Sequence, residues 1–374
     1  MAGETRALAL FRFHNPPGGA AALAAALAGG HPATGECVAR FERALAPLLG
    51  TAHVVATSDR SGALTLALRL AGVGPGDEVI LPPLCCTATS MPVANLFATP
   101  RWADVDPDTG MIDPRAIAPR VTPRTRAIVA YHWAGDVADL EALAVVARTH
   151  GLALVSDASG AFGATWRGAP LGAAAADFTV YSFYAAAQLG TGEGGALCCA
   201  RTADGETARR CRRYGLDPGT FRLPNRDLNP QSDVPIAGYN FAMTNLTAAL
   251  GLAQLPHAAA IVARHQANGA YYDEALRDVP GLRLLARDPR ARSAYWAYAL
   301  RAERRDALVT KLAREGIGAQ RLHVRNDRYA CFPPAPIDLP GVARFDAENL
   351  VIPCGWWIDD AARARIVDVI RAGW

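Results

Sequence analysis

Lysine is almost absent from this 374-residue chain: of its 38 lysines and arginines, only Lys311 is a lysine. Because a Schiff base needs a primary amine that can lose its proton, arginine cannot replace lysine in that chemistry. Charge of either sign is also scarce, since 20% of the residues are charged and the formal net charge is +3. This charge balance gives no indication that nucleic acid is a partner.

Long hydrophobic runs and paired cysteine motifs are missing as well. No run of 18 or more apolar residues is present, so no membrane-spanning helix is predicted. The eight cysteines lack C-x-x-C spacing, which argues against a zinc site and against a disulfide scaffold. We therefore expect no metal and no membrane association, and a cytoplasmic protein with reduced thiols.

What is present is an alternation of apolar strand-like runs and helical patterns, in a chain that is 51% apolar. Amphipathic or helical patterns occupy residues 35–49, 61–70 and 140–149. Strands are predicted at residues 78–81, 127–131, 152–156, 178–183 and 195–199. This alternation predicts the α/β class, with a mostly parallel sheet flanked by helices.

The pattern changes toward the C-terminus. Residues 209–233 show little periodicity, so they are predicted to form a long excursion. Two helices are predicted at 244–255 and 258–273, separated by Pro256. Later residues show short strands and two helices, which predict a smaller α+β domain. We therefore place a large domain at 1–255 and a linking helix with the small domain at 256–374.

Five motifs occur in the order typical of one family. They are Gly35-Glu-Cys-Val-Ala-Arg-Phe-Glu42, residues 72–80, Asp157-Ala-Ser-Gly-Ala-Phe-Gly-Ala164, Gly192-Glu-Gly-Gly195, and residues 238–246 with 249–254. With them the chain resembles the DegT-type sugar aminotransferases, pyridoxal-phosphate enzymes of fold type I that act on nucleotide-linked keto sugars. The resemblance implies a homodimer with a site shared between subunits.

The same resemblance implies a cofactor site at the carboxyl ends of the strands. A turn between a strand and a helix would form a phosphate cup there, because helix-start amides and serine hydroxyls favour an anion. The cup residues are Ser58, Ser61 and Gly62, joined by resemblance by Ser182 and by Asn240 of the partner subunit. Asp157 takes the place of the carboxylate that keeps the pyridine nitrogen protonated. Alternatively, Ser58 and Ser61 are plain helix caps and Asp157 is a turn carboxylate.

The central lysine of the family is missing. In Ser182-Phe-Tyr-Ala-Ala-Ala187-Gln188, Tyr184 takes the histidine place and Ala187 the lysine place. Cys86 occupies the position of the aromatic residue that normally stacks on the cofactor ring. Gly160 and Ala242 are two further departures from the family's pattern. Removal of a lysine by design would not alter these other positions, so they favour natural loss over an engineered alanine.

These departures lead to a hypothesis without pyridoxal chemistry. In it, the cup holds a nucleotide and no cofactor is favoured. Asp157 accepts a proton during glycosyl transfer from a nucleotide sugar to a small nucleotide-like or amine acceptor. Arginines of the excursion, Arg213 among them, would bind the diphosphate, and His323, Arg325 and Asn326 of the small domain would contact the substrate.

Three alternatives remain open at this point. The chain is a sugar aminotransferase whose lysine is replaced by alanine, with pyridoxal phosphate as cofactor. Or it is a sugar dehydratase that uses pyridoxamine phosphate, with Tyr184, His132 or a water as the base. Or it is an inactive subunit that pairs with an active paralogue.

Overall fold

The computed structural model describes residues 7–217, 219–334 and 338–374, in which thirteen strands and ten helices are defined. The strands are β1 Val54–Thr57, β2 Glu78–Leu81, β3 Thr99–Trp102, β4 Thr125–Tyr131, β5 Ala153–Asp157, β6 Thr165–Trp166, β7 Ala169–Pro170, β8 Phe178–Ser182, β9 Gly195–Cys199, β10 Leu282–Leu284, β11 Ala291–Arg292, β12 Tyr298–Ala302 and β13 Asn349–Ile352. The helices are α1 Gly19–Ala28, α2 Glu36–Leu49, α3 Arg60–Leu70, α4 Thr87–Asn95, α5 Leu140–His150, α6 Thr202–Cys211, α7 Asn245–Ala275, α8 Arg305–Arg314, α9 Pro340–Glu348 and α10 Asp360–Arg371.

A seven-stranded sheet forms the centre of the large domain, in the order β1-β9-β8-β5-β4-β2-β3. The pairs from β3 to β8 are parallel, and β9 runs antiparallel to both of its neighbours. Strands β1, β2, β5, β8 and β9 are almost wholly buried, which explains why the sequence shows them as continuous apolar runs. The predicted α/β class with a mostly parallel sheet is confirmed.

The small domain is built on a second sheet, the antiparallel order β10-β12-β13. Its core combines residues of this sheet with residues of α8 and α10, and with Tyr272 and Leu276 at the end of α7. Strand β11 pairs with β6 of the large domain, and β6 pairs with β7. The small domain is therefore connected to the large domain by a shared sheet as well as by α7.

One predicted feature of this region is wrong: Pro256 does not divide α7 into two helices. Pro256 is exposed, and residues on both sides of it are buried, from Ala248 through Ala258 to Tyr272. Packing against α1, α2 and α10 therefore holds one helix together despite the missing N–H of proline. The domain boundary predicted after residue 255 falls inside this helix.

Helix α7 is also long and apolar enough to cross a membrane by length and composition alone. In the described part of the chain it packs against other helices of the fold, and 39% of its most apolar window is buried. A core helix passes the same test of length and composition, so this feature is weak evidence for a membrane span.

A cluster of charges joins the loop after β4, helix α7 and the loop after β10. The Arg287 guanidinium contacts Asp136 at 3.0 Å and Asp273 at 2.5 Å, and one fifth of the Arg287 side chain is exposed. The hydroxyls of Tyr295 and Tyr298 donate to Asp273 at 2.5 and 2.8 Å. Arg287 therefore neutralises two carboxylates, one from each side of the domain junction.

We predict that Arg287→Met lowers the free energy of unfolding by about 3 kcal/mol, the lower end for a broken buried ion pair, because Arg287 is partly exposed. Urea unfolding measures this change. Arg283→Met is the matched control, because Arg283 is 52% exposed and lies 3.8 Å from Glu303. Its loss should change the free energy of unfolding by at most about 1 kcal/mol. Equal losses in the two variants would contradict the structural role of Arg287.

Candidate functional site

The carboxyl ends of three parallel strands meet at one edge of the central sheet. Strand β4 ends at Tyr131, β5 at Asp157 and β8 at Ser182. A cavity of about 620 Å³ lies at this edge, and Tyr131 and Ser182 are part of its wall. This volume lies within the range of small-molecule sites, and ligands bind at the same edge in other open α/β sheets.

Asp157 lies beneath this cavity and has no exposed surface. Its carboxylate accepts hydrogen bonds from the Thr89 hydroxyl at 2.7 Å and from the Ser159 backbone N–H at 3.1 Å. The guanidinium of Arg60 lies 3.5 Å from the same carboxylate and donates to the Ser159 hydroxyl at 2.8 Å. Arg60 lines the cavity and Asp157 does not, so the predicted ring-nitrogen partner is covered by an arginine.

The predicted phosphate cup lies at the start of α3. Ser58 and Ser61 line the cavity together with Ser182, so three hydroxyls lie where the sequence predicts them. However, Asp59 caps α3: its carboxylate accepts the Gly62 N–H and the Ser58 hydroxyl, both at 2.8 Å. An anion in this place would therefore compete with the carboxylate of Asp59.

Gly62 has a packing role at this helix start. A Cβ on Gly62 would lie 2.9 Å from the ring of Phe241. Glu193 lines the same wall as Asp59, and burial, followed by the charge of Asp59, raises the pKa of Glu193. The wall predicted to bind phosphate thus carries two carboxylates of its own.

The segment after β8 brings Tyr184 and Ala187 to the cavity. The two residues share a turn, in which the Ala187 N–H donates to the Tyr184 carbonyl at 2.8 Å. The one lysine of the sequence, Lys311, lies on α8 in the small domain, where its ammonium donates to the Gly373 carbonyl. No primary amine of a lysine therefore reaches the cavity.

Another part of the wall is formed by Cys86, His323 and Trp296. His323 shares a hydrogen bond of 2.7 Å with the Tyr131 hydroxyl, and burial followed by the charge of Arg60 lowers the pKa of His323 to about 3. Trp296 stacks on Phe11 with a centroid distance of 4.6 Å. A neutral imidazole and an indole thus face any ligand from this side.

Gly160 gives Trp296 the space for this position. A Cβ on Gly160 would lie 3.1 Å from the indole. The indole N–H also donates to the Ala186 carbonyl at 2.6 Å, next to the missing lysine. A larger side chain at position 160 would therefore displace Trp296 from this place.

The structure does not bring His132 into the cavity. The His132 ring is fully buried, with Nε2 2.8 Å from the Ser156 hydroxyl and Nδ1 accepting the Ala138 N–H at 3.1 Å. Burial lowers the pKa of His132 to about 4. Both ring nitrogens are occupied within the fold, which leaves no lone pair for a substrate proton.

Two of the predicted substrate residues also have partners elsewhere. Arg325 pairs with Asp327 at 2.5 Å. Asn326 is fully buried and donates from Nδ2 to the Ser90 hydroxyl at 2.8 Å, which fixes the small-domain segment against α4. Of the predicted small-domain contacts, only His323 lines the cavity.

Arg213 and Asn240 lie at the surface, outside the cavity of this chain. The Arg213 guanidinium donates to the Asn240 side-chain oxygen at 2.9 Å, and both residues are exposed. The two residues form an isolated bridge that joins the excursion to the segment after it. The prediction that Asn240 acts from a partner subunit is compatible with this exposure and stays a prediction.

Several wall residues, among them Arg60, Tyr131 and Trp296, were not predicted as site residues from the sequence. Arg60 lies inside the predicted cup motif and Tyr131 ends a predicted strand, so both could have been placed at the edge of the sheet. For Trp296 no such signal exists, because it reaches the cavity from the segment between β11 and β12.

A pyridoxal-type cofactor fits this cavity in size and through the hydroxyls of Ser58, Ser61 and Ser182. Covalent attachment does not fit, because residue 187 is alanine. Among the described wall residues Arg60 is the one permanent cation, and it lies at Asp157, not at the cup. The cavity can therefore hold such a group only through noncovalent contacts.

The chain is similar to several known proteins. It is 36% identical over 280 residues to the spore coat polysaccharide biosynthesis protein SpsC of Bacillus subtilis (strain 168), over 74% of this chain and 71% of SpsC. The sugar aminotransferase CalS13 of Micromonospora echinospora shares its fold with a TM-score of 0.93 and 32% identity, over 98% and 100% of the two chains. S. venezuelae DesV, solved in complex with a ketimine intermediate, has a TM-score of 0.86 and 30% identity, over 95% and 93%.

These similarities overturn two expectations from the sequence. Glycosyl transfer as the reaction is wrong, because CalS13 is a sugar aminotransferase and nearly the whole of both chains superimposes. The expectation that no pyridoxal-type cofactor is used is wrong as well, since the ketimine bound by DesV belongs to amine-transfer chemistry. The fold and motif order of the whole chain thus indicate the reaction better than a few altered site residues do.

The family model that matches the chain covers residues 19–371 and therefore both the large sheet and the small domain. It describes aminotransferases, so the chain is built as an enzyme of the transferase class. The order of the motifs, the cavity at the strand ends and the similar structures agree with this match. The chain belongs to the DegT/DnrJ/EryC1/StrS aminotransferase family.

Proposed function

We propose that this protein aminates a nucleotide-linked keto sugar with a pyridoxal-type cofactor that it binds noncovalently in the amine form. The observation that carries the proposal is that Ala187 lines the cavity at the strand ends. The same cavity retains the serine hydroxyls that the resemblance assigns to the phosphate cup. When bound, such a cofactor supplies the amino group and a conjugated ring that accepts electrons. The remaining tasks, binding, orientation and proton transfer, belong to the side chains of the wall.

Tyr184 is the proposed proton carrier. It lines the cavity on the same turn as Ala187 and the residue is 53% exposed, so its hydroxyl is accessible to a ligand. Tyr131 is less suited to this role, because burial raises the pKa of Tyr131 and its hydroxyl is bonded to His323. The phenol of Tyr184, beside the place of the missing lysine, is thus an accessible source of a proton on this wall.

The keto sugar is proposed to lie between Trp296 and His323. An indole offers an apolar surface for a sugar ring, and a neutral imidazole offers one donor or acceptor. Trp296 is held in place from two sides, by Phe11 and by the Ala186 carbonyl. A fixed aromatic wall orients a ligand without loss of side-chain freedom on binding.

A homodimer would complete the cup. Asp59 and Glu193 make the phosphate wall acidic, while Arg213 and Asn240 are exposed at the surface. If Arg213 and Asn240 of the partner subunit lie against this wall, they supply the positive charge and the amide that a phosphate needs. This arrangement is part of the proposal and agrees with the resemblance to a dimeric family.

We predict that Ala187→Lys creates covalent attachment of pyridoxal phosphate. A lysine at 187 points into the cavity wall, whereas Ala186 does not line the cavity. Borohydride reduction followed by mass spectrometry should therefore show the reduced adduct on Ala187→Lys and none on the control Ala186→Lys. No adduct on either variant would mean that the cofactor does not bind with its reactive carbon near residue 187.

We also predict a single round of sugar amination. Protein loaded with pyridoxamine phosphate and mixed with a panel of nucleotide-linked keto sugars should form amino sugar in proportion to bound cofactor. Mass spectrometry of the sugar distinguishes this product from a dehydrated one. Tyr184→Phe should slow the reaction by about 100-fold, the usual contribution of a general acid or base. The exposed Tyr214 lies outside the cavity wall, so Tyr214→Phe is the matched control.

Either of two results would refute the proposal. Sugar that stays unchanged with every member of the panel would remove amination as the activity. Sugar that loses water would identify the chain as a dehydratase.

A further inference from the structure

The floor of the cavity presents an arginine in front of a buried carboxylate. Arg60 is the first residue of α3, and its guanidinium reaches the end of β5. It is 9% exposed and lines the cavity, while Asp157 has no exposed surface. A ligand above β5 therefore meets the side chain of Arg60 before it meets the carboxylate of Asp157.

Both oxygens of Asp157 are already occupied. Oδ2 accepts from Thr89 at 2.7 Å and lies 3.5 Å from Arg60, and Oδ1 accepts the Ser159 N–H at 3.1 Å. Although burial opposes a charged guanidinium, Asp157 raises the pKa of Arg60 above its ordinary value. The pair is therefore an ion pair without net charge.

A neutral pair whose arginine lines the cavity matches a neutral acceptor. An anion gains little there, because Asp157 cancels the charge of Arg60 over a distance of 3.5 Å. A cation is opposed directly by the guanidinium. An uncharged aromatic nitrogen has one lone pair in the plane of its ring, which suits a planar guanidinium.

We propose that Arg60, not Asp157, contacts the ring nitrogen of the pyridoxal-type cofactor and that this nitrogen stays unprotonated. The inference rests on the proposed function, since it requires that the cofactor binds in this cavity. Guanidinium carries donors only and does not release its proton, so its partner must be an acceptor. Asp157 then acts through Arg60, as a positioning residue.

This assignment changes the electronic state expected of the bound ring. By its resemblance to the family, the chain is expected to hold the ring as a pyridinium on a carboxylate. A ring that accepts a hydrogen bond from Arg60 withdraws electrons less strongly, because hydrogen bonds to ring nitrogens tune a cofactor's electronics.

The test is nitrogen NMR of pyridoxamine phosphate labelled with ¹⁵N in its ring and bound to the full chain. We expect the resonance of an unprotonated pyridine, unchanged between pH 6 and pH 9. A pyridinium resonance in the bound state would overturn the assignment of Arg60. This NMR measurement uses the unmodified chain, so it does not depend on the folding of a variant.

Two variants then test whether Arg60 is the residue that keeps the ring nitrogen unprotonated. Arg60→Met removes the donors at similar length and opens a path to Asp157, so the resonance should move to that of a pyridinium. Arg69→Met, on the exposed last turn of the same helix, should leave the resonance unchanged. If Arg60→Met does not fold, the double variant Arg60→Met/Asp157→Asn removes both charges and should keep the nitrogen unprotonated.

The outcomes separate this inference from the proposed function. Binding with a protonated ring contradicts the role of Arg60 and leaves noncovalent binding intact. The absence of any bound resonance at saturating pyridoxamine phosphate would refute the proposed function, and this inference with it. A resonance that does not move in Arg60→Met would show that Arg60 is not the contact.

Discussion

The central constraint on this site is the full burial of the Asp157 carboxylate at the end of β5. A buried charge is strongly destabilising unless it is paired and hydrogen-bonded, and here Thr89, Ser159 and Arg60 together meet that need. Arg60 can reach Asp157 only because β1 and β5 end at the same edge of the sheet, with α3 starting directly after β1. The order of the strands therefore decides which groups the cavity presents.

Much of the fold could be predicted from the sequence. Buried parallel strands such as β5 and β8 are continuous apolar runs, and local composition is enough to find them. Helix α7 was divided wrongly at Pro256, because the packing that keeps it continuous comes from α1, α2 and α10. In general, local patterns identified elements, and contacts between distant elements decided where they end.

The site was predictable only in part, for a related reason. Ser58, Ser182 and Tyr184 lie in motifs and line the cavity. Arg60 covers a carboxylate 97 residues away, and no local pattern reveals such a contact. His132 was a candidate base by residue type, but its two nitrogens are used by Ser156 and Ala138. The chemistry of a residue type is thus set by partners that only the folded chain defines.

The proposed chemistry requires that a family member without its lysine still binds a pyridoxal-type cofactor. Isothermal titration of the purified chain with pyridoxamine phosphate, with inorganic phosphate as a competitor, measures this binding. We expect saturable binding that dialysis reverses and that excess phosphate weakens through the shared cup. Absence of binding at millimolar pyridoxamine phosphate would contradict this expectation.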